Sequence, residues 1–409
     1  MARILGFRVQ NYRCLRDVSI GVTSGHRKGP VLSGLTAFIG KNGTGKSSLL
    51  DAFSFLSDCV LHGVEDACNR GQRGGFHRLL SKGCAGPIVL EIRYREGEHG
   101  PPIDYRLEVG AADNGRPQVE SEELTQRPRG RHHDGTLQYL ALKHGRGPAF
   151  FELTDPDASG MRSPQFMPVV ITDRALLGVA ALGVLGMYPF IDRFRTFLGS
   201  WYLSYFQPNA ARGLPIAGPQ PHLNTSGDNL GNVVQFMEGE YPDRFKAILR
   251  QIASRIPGVR TISTEVTKDN RVLLRFNDGN FQDPFYAQQM SDGTLKLFAY
   301  LLLLNAPKPA PLICIEEPEN GLYHKLLEVL VQEFRIHTDR ADPSSQIVVA
   351  THHPYFVDAL SPKEVWILDK GPDGFSTARR ASDLELVRNM VEEGIPLGSL
   401  WYSNYLDPR

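Results

Sequence analysis

Hydrophobic positions along the chain change period several times, and each change predicts an element. Residues Ile4 to Ile20 alternate as two short strands around the turn NYRCLRD. The loop TSGHRKGPVLSG leads to an unbroken apolar run, LTAFIG, which predicts a buried strand; a helix follows from Lys46 to about His62. IVLEIRYRE and IDYRLEV, between Ile88 and Val109, alternate as half-solvated antiparallel strands do. The stretch TQRPRGRHHDG reads as a loop before a second strand pair, LQYLALKH and AFFEL. From Arg174 to about Phe206 the pattern is helical and apolar, and a loop rich in Pro and Gly then runs to Asn224. DNLGNVVQFMEGEYPDRFKAILRQIASRI predicts two helices, and TISTEV with RVLLRF a hairpin. From Phe285 onward, helices and strands alternate as in a parallel sheet.

These elements divide the chain into an N-terminal lobe over 1–165, a helical stretch over 166–260 and a C-terminal lobe over 261–409. No internal repeat and no sustained heptads occur, so the stretch between Ser47 and Ser291 predicts a compact insert, not a coiled-coil arm. The longest apolar run, Ala175 to Phe190, is interrupted by glycines and shorter than the roughly 20 residues of a membrane span. It predicts a buried helix or helix pair, and no membrane anchor is expected. The N-terminus carries arginines and alternates like a strand, unlike a signal peptide.

Composition adds little beyond an ordinary globular chain. Lys+Arg and Asp+Glu both number 45, so a nucleic-acid face would need local charge segregation. Cys14, Cys59, Cys68, Cys84 and Cys314 are scattered, without CxxC spacing, and read as reduced thiols of a cytoplasmic protein.

Chemistry enters with GKNGTGKSS, Gly40 to Ser48, which has the spacing G-x-x-x-x-G-K-[ST] between a buried strand and a helix. Glycines allow successive N–H groups to turn inward around a phosphate, and the helix N-terminus adds a favourable dipole. The loop makes Asn42, Gly43, Thr44, Gly45, Lys46, Ser47 and Ser48 the nucleotide-binding residues. Lys46 is expected on the β- and γ-phosphates and the Ser47 hydroxyl on Mg²⁺.

PLICIEEPENGLYH is a short apolar strand that ends in adjacent carboxylates. Strand alternation turns Glu316 and Glu317 to different sides, which suits two roles. Glu316 is expected in the Mg²⁺ shell and Glu317 as the base that deprotonates a water; a solvated acidic turn is the alternative. IVVATHHPYFVDAL ends a second buried strand at Thr351-His352. His352 is expected to sense the γ-phosphate, the alternative being a histidine that only caps a helix; His352 and His353 lack further ligands at zinc spacing. In MSDGTLKLFAY, Ser291, Asp292 and Gly293 open a buried helix whose first N–H groups would welcome an anion. A turn that merely starts a core helix is the alternative.

The order of these motifs resembles that of ABC-type ATPases: phosphate loop, signature at Ser291–Gly293, carboxylate strand Leu312–Pro318, histidine loop at Thr351-His352. FRVQNYRCLRDVSI resembles the start of RecF- and SMC-like members. MSDGTLKLFAY and IEEPENGLY resemble bacterial AAA-type ATPases related to the ATPase half of OLD nucleases. The resemblance implies an α/β P-loop NTPase fold, an ABC-type head with a mixed or parallel sheet, an antiparallel β lobe and a helical insert. It further implies ATP and Mg²⁺, ATP hydrolysis, and a head-to-tail homodimer in which each signature receives the partner's ATP. Asn320 to His324 would take the interface-crossing D-loop position, and Tyr12 and Arg13 would contact the nucleotide or else face solvent. The signature departs from the usual form in reading SDGT, and Glu316 stands where many relatives carry Asp. Gln72, Gln126 and Gln138 are the candidates for the glutamine such ATPases place near the metal.

The expected function is an ATP-gated dimeric switch in DNA maintenance or anti-phage defence, acting on DNA or a partner effector protein. The basic run Gln126 to His133 is the candidate DNA contact, or else a solvated loop. The alternative is the ATPase subunit of a nuclease or toxin complex whose nuclease is a separate chain, because the residues after His353 hold no acidic metal-binding cluster.

Overall fold

The alternating N-terminus closes as a hairpin, β1 (Arg3–Tyr12) with β2 (Leu15–Gly21), in which Val9 faces Val18 and Tyr12 faces Leu15. In this computed structural model the described residues are 2–25, 29–97, 99–126, 137–151, 165–170, 180, 189–256, 258–340 and 344–407. Backbone contacts gather the chain into two compact units. The first holds Met1–Trp201, Lys363–Arg388 and Leu406–Arg409, and the second Tyr202–Pro362 and Asn389–Tyr405. They do not follow the three stretches expected along the chain, because late segments return to early ones.

In the first unit β1 and β2 begin an eight-stranded antiparallel sheet with β4 (Ile88–Arg95), β5 (Pro102–Ala111), β6 (Pro117–Gln126), β7 (Leu137–Lys143), β8 (Arg146–Phe151) and β9 (Gln165–Val170). Its order is β2-β1-β4-β5-β6-β7-β8-β9. Directly opposed residues on β4 and β5 carry opposite charges: Arg93 faces Asp104 at 2.6 Å, and Glu91 pairs with Arg106. Such cross-strand pairs favour one register over its neighbours. β6 and β9 were not foreseen. β6 reads polar because it is rich in glutamate, yet Glu122 is buried and accepts a hydrogen bond from the Tyr105 hydroxyl at 2.8 Å.

The run LTAFIG forms β3 (Leu35–Ile39), all five residues buried. β3 is parallel to β16 (Val365–Lys370), and β17 (Ser376–Arg380) returns antiparallel to β16. The helix Lys46–His62 follows β3 as expected and packs on β1 through Phe7 and Phe53, ring centroids 4.1 Å apart. A second helix, Pro189–Gly199, covers β4 and β5 by stacking Phe194 on Tyr94 at 4.5 Å and meeting Tyr105 edge-on. The apolar run expected to form helices before it lies outside the described residues except Ala180, Pro189 and Phe190. The basic run also lies outside them, apart from Gln126.

In the second unit β10 (Tyr202–Ser204), β14 (Leu312–Glu316) and β15 (Gln346–Thr351) are parallel neighbours. The helix expected to reach Phe206 therefore stops at Gly199, and the aromatic-rich residues beyond it pair as a strand. Helices Leu230–Glu240 and Pro242–Arg255 and the hairpin β11 (Val259–Val266) with β12 (Val272–Asp278) agree with the sequence pattern; β13 (Phe285–Tyr286) is added at the edge. No helix among the described residues is long and apolar enough to cross a membrane.

A polar knot ties the helix Lys46–His62 to its surroundings in the first unit. Arg73, its side chain 1 % exposed, donates from Nε to Asp51 (2.9 Å) and from Nη1 to Asp58 (2.6 Å) and the Ala67 carbonyl (2.8 Å). Asp51 also accepts from the Tyr12 hydroxyl at 2.7 Å and pairs with Arg13 at 2.9 Å. Burial works against the Arg73 charge, but the two carboxylates outweigh it and its pKa is raised. Removing one partner of a buried ion pair strands the other, so Arg73→Ala should cost about 3 kcal/mol. Urea unfolding checks this; a loss below about 0.5 kcal/mol would mean that the carboxylates find water instead.

Candidate functional site

The phosphate loop lies in the first unit, between β3 and the helix Lys46–His62. Gly43 (φ 81°) and Gly45 (φ 101°) take left-handed conformations that admit glycine without strain. A Cβ at Gly45 would stand 2.5 Å from Ser376 Oγ and 2.9 Å from Cys14 Sγ, so the loop is pinned between the N-terminal hairpin and β17. Gly43, by contrast, faces open space. No side chain caps the helix that begins at Lys46, and a helix start of this kind suits an anion. Lys46 is buried and donates to the carbonyls of Gly40 (2.6 Å) and Lys41 (3.0 Å). Thr44 closes the loop by donating to Lys41 O at 2.9 Å, Asn42 and Ser47 are exposed, and Ser48 lies 3.7 Å from Cys14 Sγ. Arg13, with φ 52°, has its guanidinium on Asp51, one helical turn below Ser47 and Ser48.

The second unit brings the carboxylates, the histidine and the signature together. Glu316 ends β14 and is half-buried. Glu317 leaves the strand with a left-handed backbone (φ 45°), so the alternation expected to separate the two acids ends one residue earlier. Its N–H donates to Ala350 O (2.8 Å), and its carboxylate accepts from Asn320 Nδ2 (2.6 Å) and lies 3.0 Å from His352 Nδ1. His352 is exposed, and its carbonyl accepts from Trp401 Nε1 at 3.3 Å.

Ser291 caps the helix Asp292–Leu304 by accepting from the Thr294 N–H at 3.2 Å. One of the amides expected to be bare is therefore satisfied within the chain. Asp292 pairs with Arg212. Gly293 abuts the turn after the carboxylates so closely that a Cβ would lie 2.6 Å from Gly321 O. Tyr323 and His324, at the expected D-loop position, are exposed, with ring centroids 4.1 Å apart and the rings tilted by 54°.

Three residues of this cluster escaped sequence reasoning. Gln207 follows β10, the parallel neighbour of the carboxylate strand, and lines a cleft of 520 Å³ with Glu316, Glu317, Asn209, Asp292 and Lys296. It is a glutamine beside the carboxylates within this unit; Gln72, Gln126 and Gln138 belong to the first unit, where Gln126 accepts from the Tyr139 hydroxyl in the antiparallel sheet. A strand in place of the expected helix at Tyr202 would have revealed it. Glu319 is buried and accepts from the Thr351 hydroxyl (2.6 Å) and the His352 N–H (3.2 Å). Lys296, buried one turn into the signature helix, donates to the carbonyls of Glu317 (2.9 Å) and Asn320 (3.1 Å).

The family described as "AAA domain, putative AbiEii toxin, Type IV TA system" matches residues 35–358. The chain belongs to that family. A second family, described as "AAA ATPase domain", matches residues 3–66 of this AAA protein. No curated protein matches the chain. Among solved structures it is similar to an SMC head bound to the C-terminal winged-helix domain of ScpA, at 15% identity and a TM-score of 0.53, over 92% of this chain and 97% of that one. It is also similar to an SMC head with an extended coiled coil bound to the C-terminal domain of ScpA derived from Pyrococcus furiosus. There the identity is 15% and the TM-score 0.50, over 96% and 99% of the two chains. At such identity the likeness speaks to fold, that of a P-loop ATPase head. Family and fold agree with the resemblance read from the motifs, a RecF/SMC-like ATPase of the ABC type.

Burial lowers the Lys296 pKa from 10.5 to about 8, against the upward pull of Glu319, Glu317 and Asp292. Between those values the unfolded chain binds more protons than the folded one, so stability rises with pH through the window. Relative to Lys296→Met, the wild type should gain on the order of 3 kcal/mol from about pH 8 to above pH 10. Urea unfolding of both proteins measures it, and a flat difference would show that Lys296 titrates normally.

Proposed function

We propose that this chain binds and hydrolyses ATP as a dimeric switch whose closure alters a surface for DNA or a partner protein. The observation that carries the reading is the phosphate loop: a helix without a side-chain cap, two left-handed glycines and a buried lysine beside them. Ser47 on the phosphate loop and Glu316 on the carboxylate strand are each hard oxygen donors of the kind Mg²⁺ takes, and the ion would offset phosphate charge. Lys46 would leave the loop carbonyls it now contacts for phosphate oxygens. Glu317 would take the proton of the attacking water, held by Asn320 and His352 at its two oxygens. Arg13 would stay with Asp51 or turn to the nucleotide. The five cysteines are free thiols, which fits a reducing cytoplasm.

In the dimer each Ser291–Gly293 segment would receive the γ-phosphate bound by the other copy. The second reading, an ATPase subunit serving a separate nuclease or toxin chain, draws on the family description, which names a toxin of a type IV system. Stimulation of turnover by duplex, single-stranded or broken DNA favours the first reading. Stimulation by a co-purified protein alone favours the second.

Glu317→Gln should retain ATP binding and lose turnover by roughly 10²- to 10⁴-fold, the usual cost of removing a general base. Calorimetry beside phosphate release measures both; turnover near wild type would assign the base elsewhere.

A mixing experiment tests the dimer. Ser291→Arg and Lys46→Ala should each abolish hydrolysis, but a mixed head-to-tail dimer places both lesions on one composite site and leaves the other whole. Partial return of phosphate release on mixing supports the arrangement. Ser291→Arg protein that hydrolyses ATP as a monomer would end it.

A further inference from the structure

The signature carries an acid, Asp292, at the helix N-terminus where the proposed phosphate would also sit. A carboxylate in the first turn is itself favoured by the helix dipole, so it competes for the same positive end. Arg212 meets this charge. Its Nη2 donates to the Asp292 carboxylate and to Met290 O (2.8 Å), and its Nη1 to Asn209 Oδ1 (2.8 Å). The Arg212 side chain is 20% exposed against 57% for Asp292. Gln288 in turn donates to Arg212 O at 2.7 Å, so side chain and backbone are both tied to the residues that precede the signature helix. Arg212 follows the short helix Pro208–Ala211, which starts after Gln207 at the cleft shared with Glu316 and Glu317.

We propose that Arg212 is the positioning residue of this signature: it neutralises Asp292 and fixes the helix N-terminus so that a phosphate can be received there. The proposal rests on Ser291–Gly293 acting as the phosphate-receiving segment. It also accounts for SDGT, since an aspartate at the second position is compatible with an anion only when a cation holds it. Without that cation a bare carboxylate several ångströms from a phosphate repels it, by an amount equivalent to on the order of 10- to 100-fold at intermediate effective dielectric. Arg212 is not a residue of the phosphate loop, so on this proposal affinity and turnover should separate.

The test compares Arg212→Ala, Arg212→Lys and the double variant Arg212→Ala/Asp292→Asn by calorimetric ATP affinity and by turnover. Arg212→Ala should lose on the order of 10- to 100-fold in turnover at unchanged ATP affinity, and Arg212→Lys should lose less. The double variant should turn over faster than Arg212→Ala, because the stranded charge has gone; a merely structural role predicts no such rescue. Should Arg212→Ala not fold, Arg212→Gln with and without Asp292→Asn carries the same comparison. Wild-type turnover in the single variant, or a double variant no faster than the single, overturns the proposal. Ser291→Arg measured alongside separates the two levels. If it is active, the signature reading falls and this proposal with it; if it is inactive while Arg212→Ala is active, only the role of Arg212 falls.

Discussion

A helix begins with amides that its own carbonyls cannot reach, and how each such end is satisfied organises this molecule. The helix Lys46–His62 has no side-chain cap, and the residue that precedes it, Gly45, is left-handed. That conformation is held by packing, since Ser376, Cys14 and Leu15 leave no space for a side chain there. The N-terminal hairpin and β17, which meet where Ser376 N–H donates to Cys14 O at 2.8 Å, thus serve the loop. The Arg73 knot fixes the same helix one turn and three turns further on, through Asp51 and Asp58. Rigid support below and open space at Gly43 above are what an anion cradle needs.

The helix Asp292–Leu304 solves the same problem differently. Ser291 satisfies one amide from within, and Asp292 brings a charge that Arg212 takes up. Its first turn also makes contacts that a solitary core helix would not need. Gly293 touches Gly321 O, and Lys296 ties down the carbonyls of Glu317 and Asn320. The left-handed backbone at Glu317 is costly for a residue with a side chain, and such strain persists only where neighbours over-determine it. Here the neighbours are Ala350 O, Asn320, His352 and Lys296. Any displacement of the signature helix would therefore be felt at Glu317 through Lys296.

Much of this was legible in the sequence, for a physical reason. Glycines, a lysine and a serine at fixed spacing between a buried strand and a helix admit few other uses, so a helix from Lys46 to about His62 was expected, and it runs Lys46–His62. β14 and β15 announced themselves as apolar runs because parallel strands are covered on both faces. Misses fell where local pattern and long-range partner disagree. β6 hides its buried Glu122 between a half-buried Glu120 and an exposed Glu123, and Tyr202–Ser204 looks helical until β14 is there to pair with. Gln207 was lost with that strand. Lys296 and Arg212 were illegible because their partners are main-chain carbonyls and a carboxylate remote in sequence.

Charge placement gives the last connection. Glu316, Glu317, Glu319 and Asp292 crowd a small part of the second unit, a concentration of like charge that repels both itself and any phosphate. Lys296 and Arg212 are the cations set against it, one buried and one mostly so. Lys296 does not contact a carboxylate directly; it holds the backbone of the acidic turn and offsets its charge through space. Arg212 takes one carboxylate outright. Glu316 and Glu317 line the cleft, Glu317 with Asn320 and His352 at its two oxygens, whereas Glu319 is occupied with Thr351 and the His352 amide. A cation on Asp292 and a second one behind the Glu317–Asn320 carbonyls thus reduce the repulsion that four neighbouring carboxylates would otherwise impose on this turn.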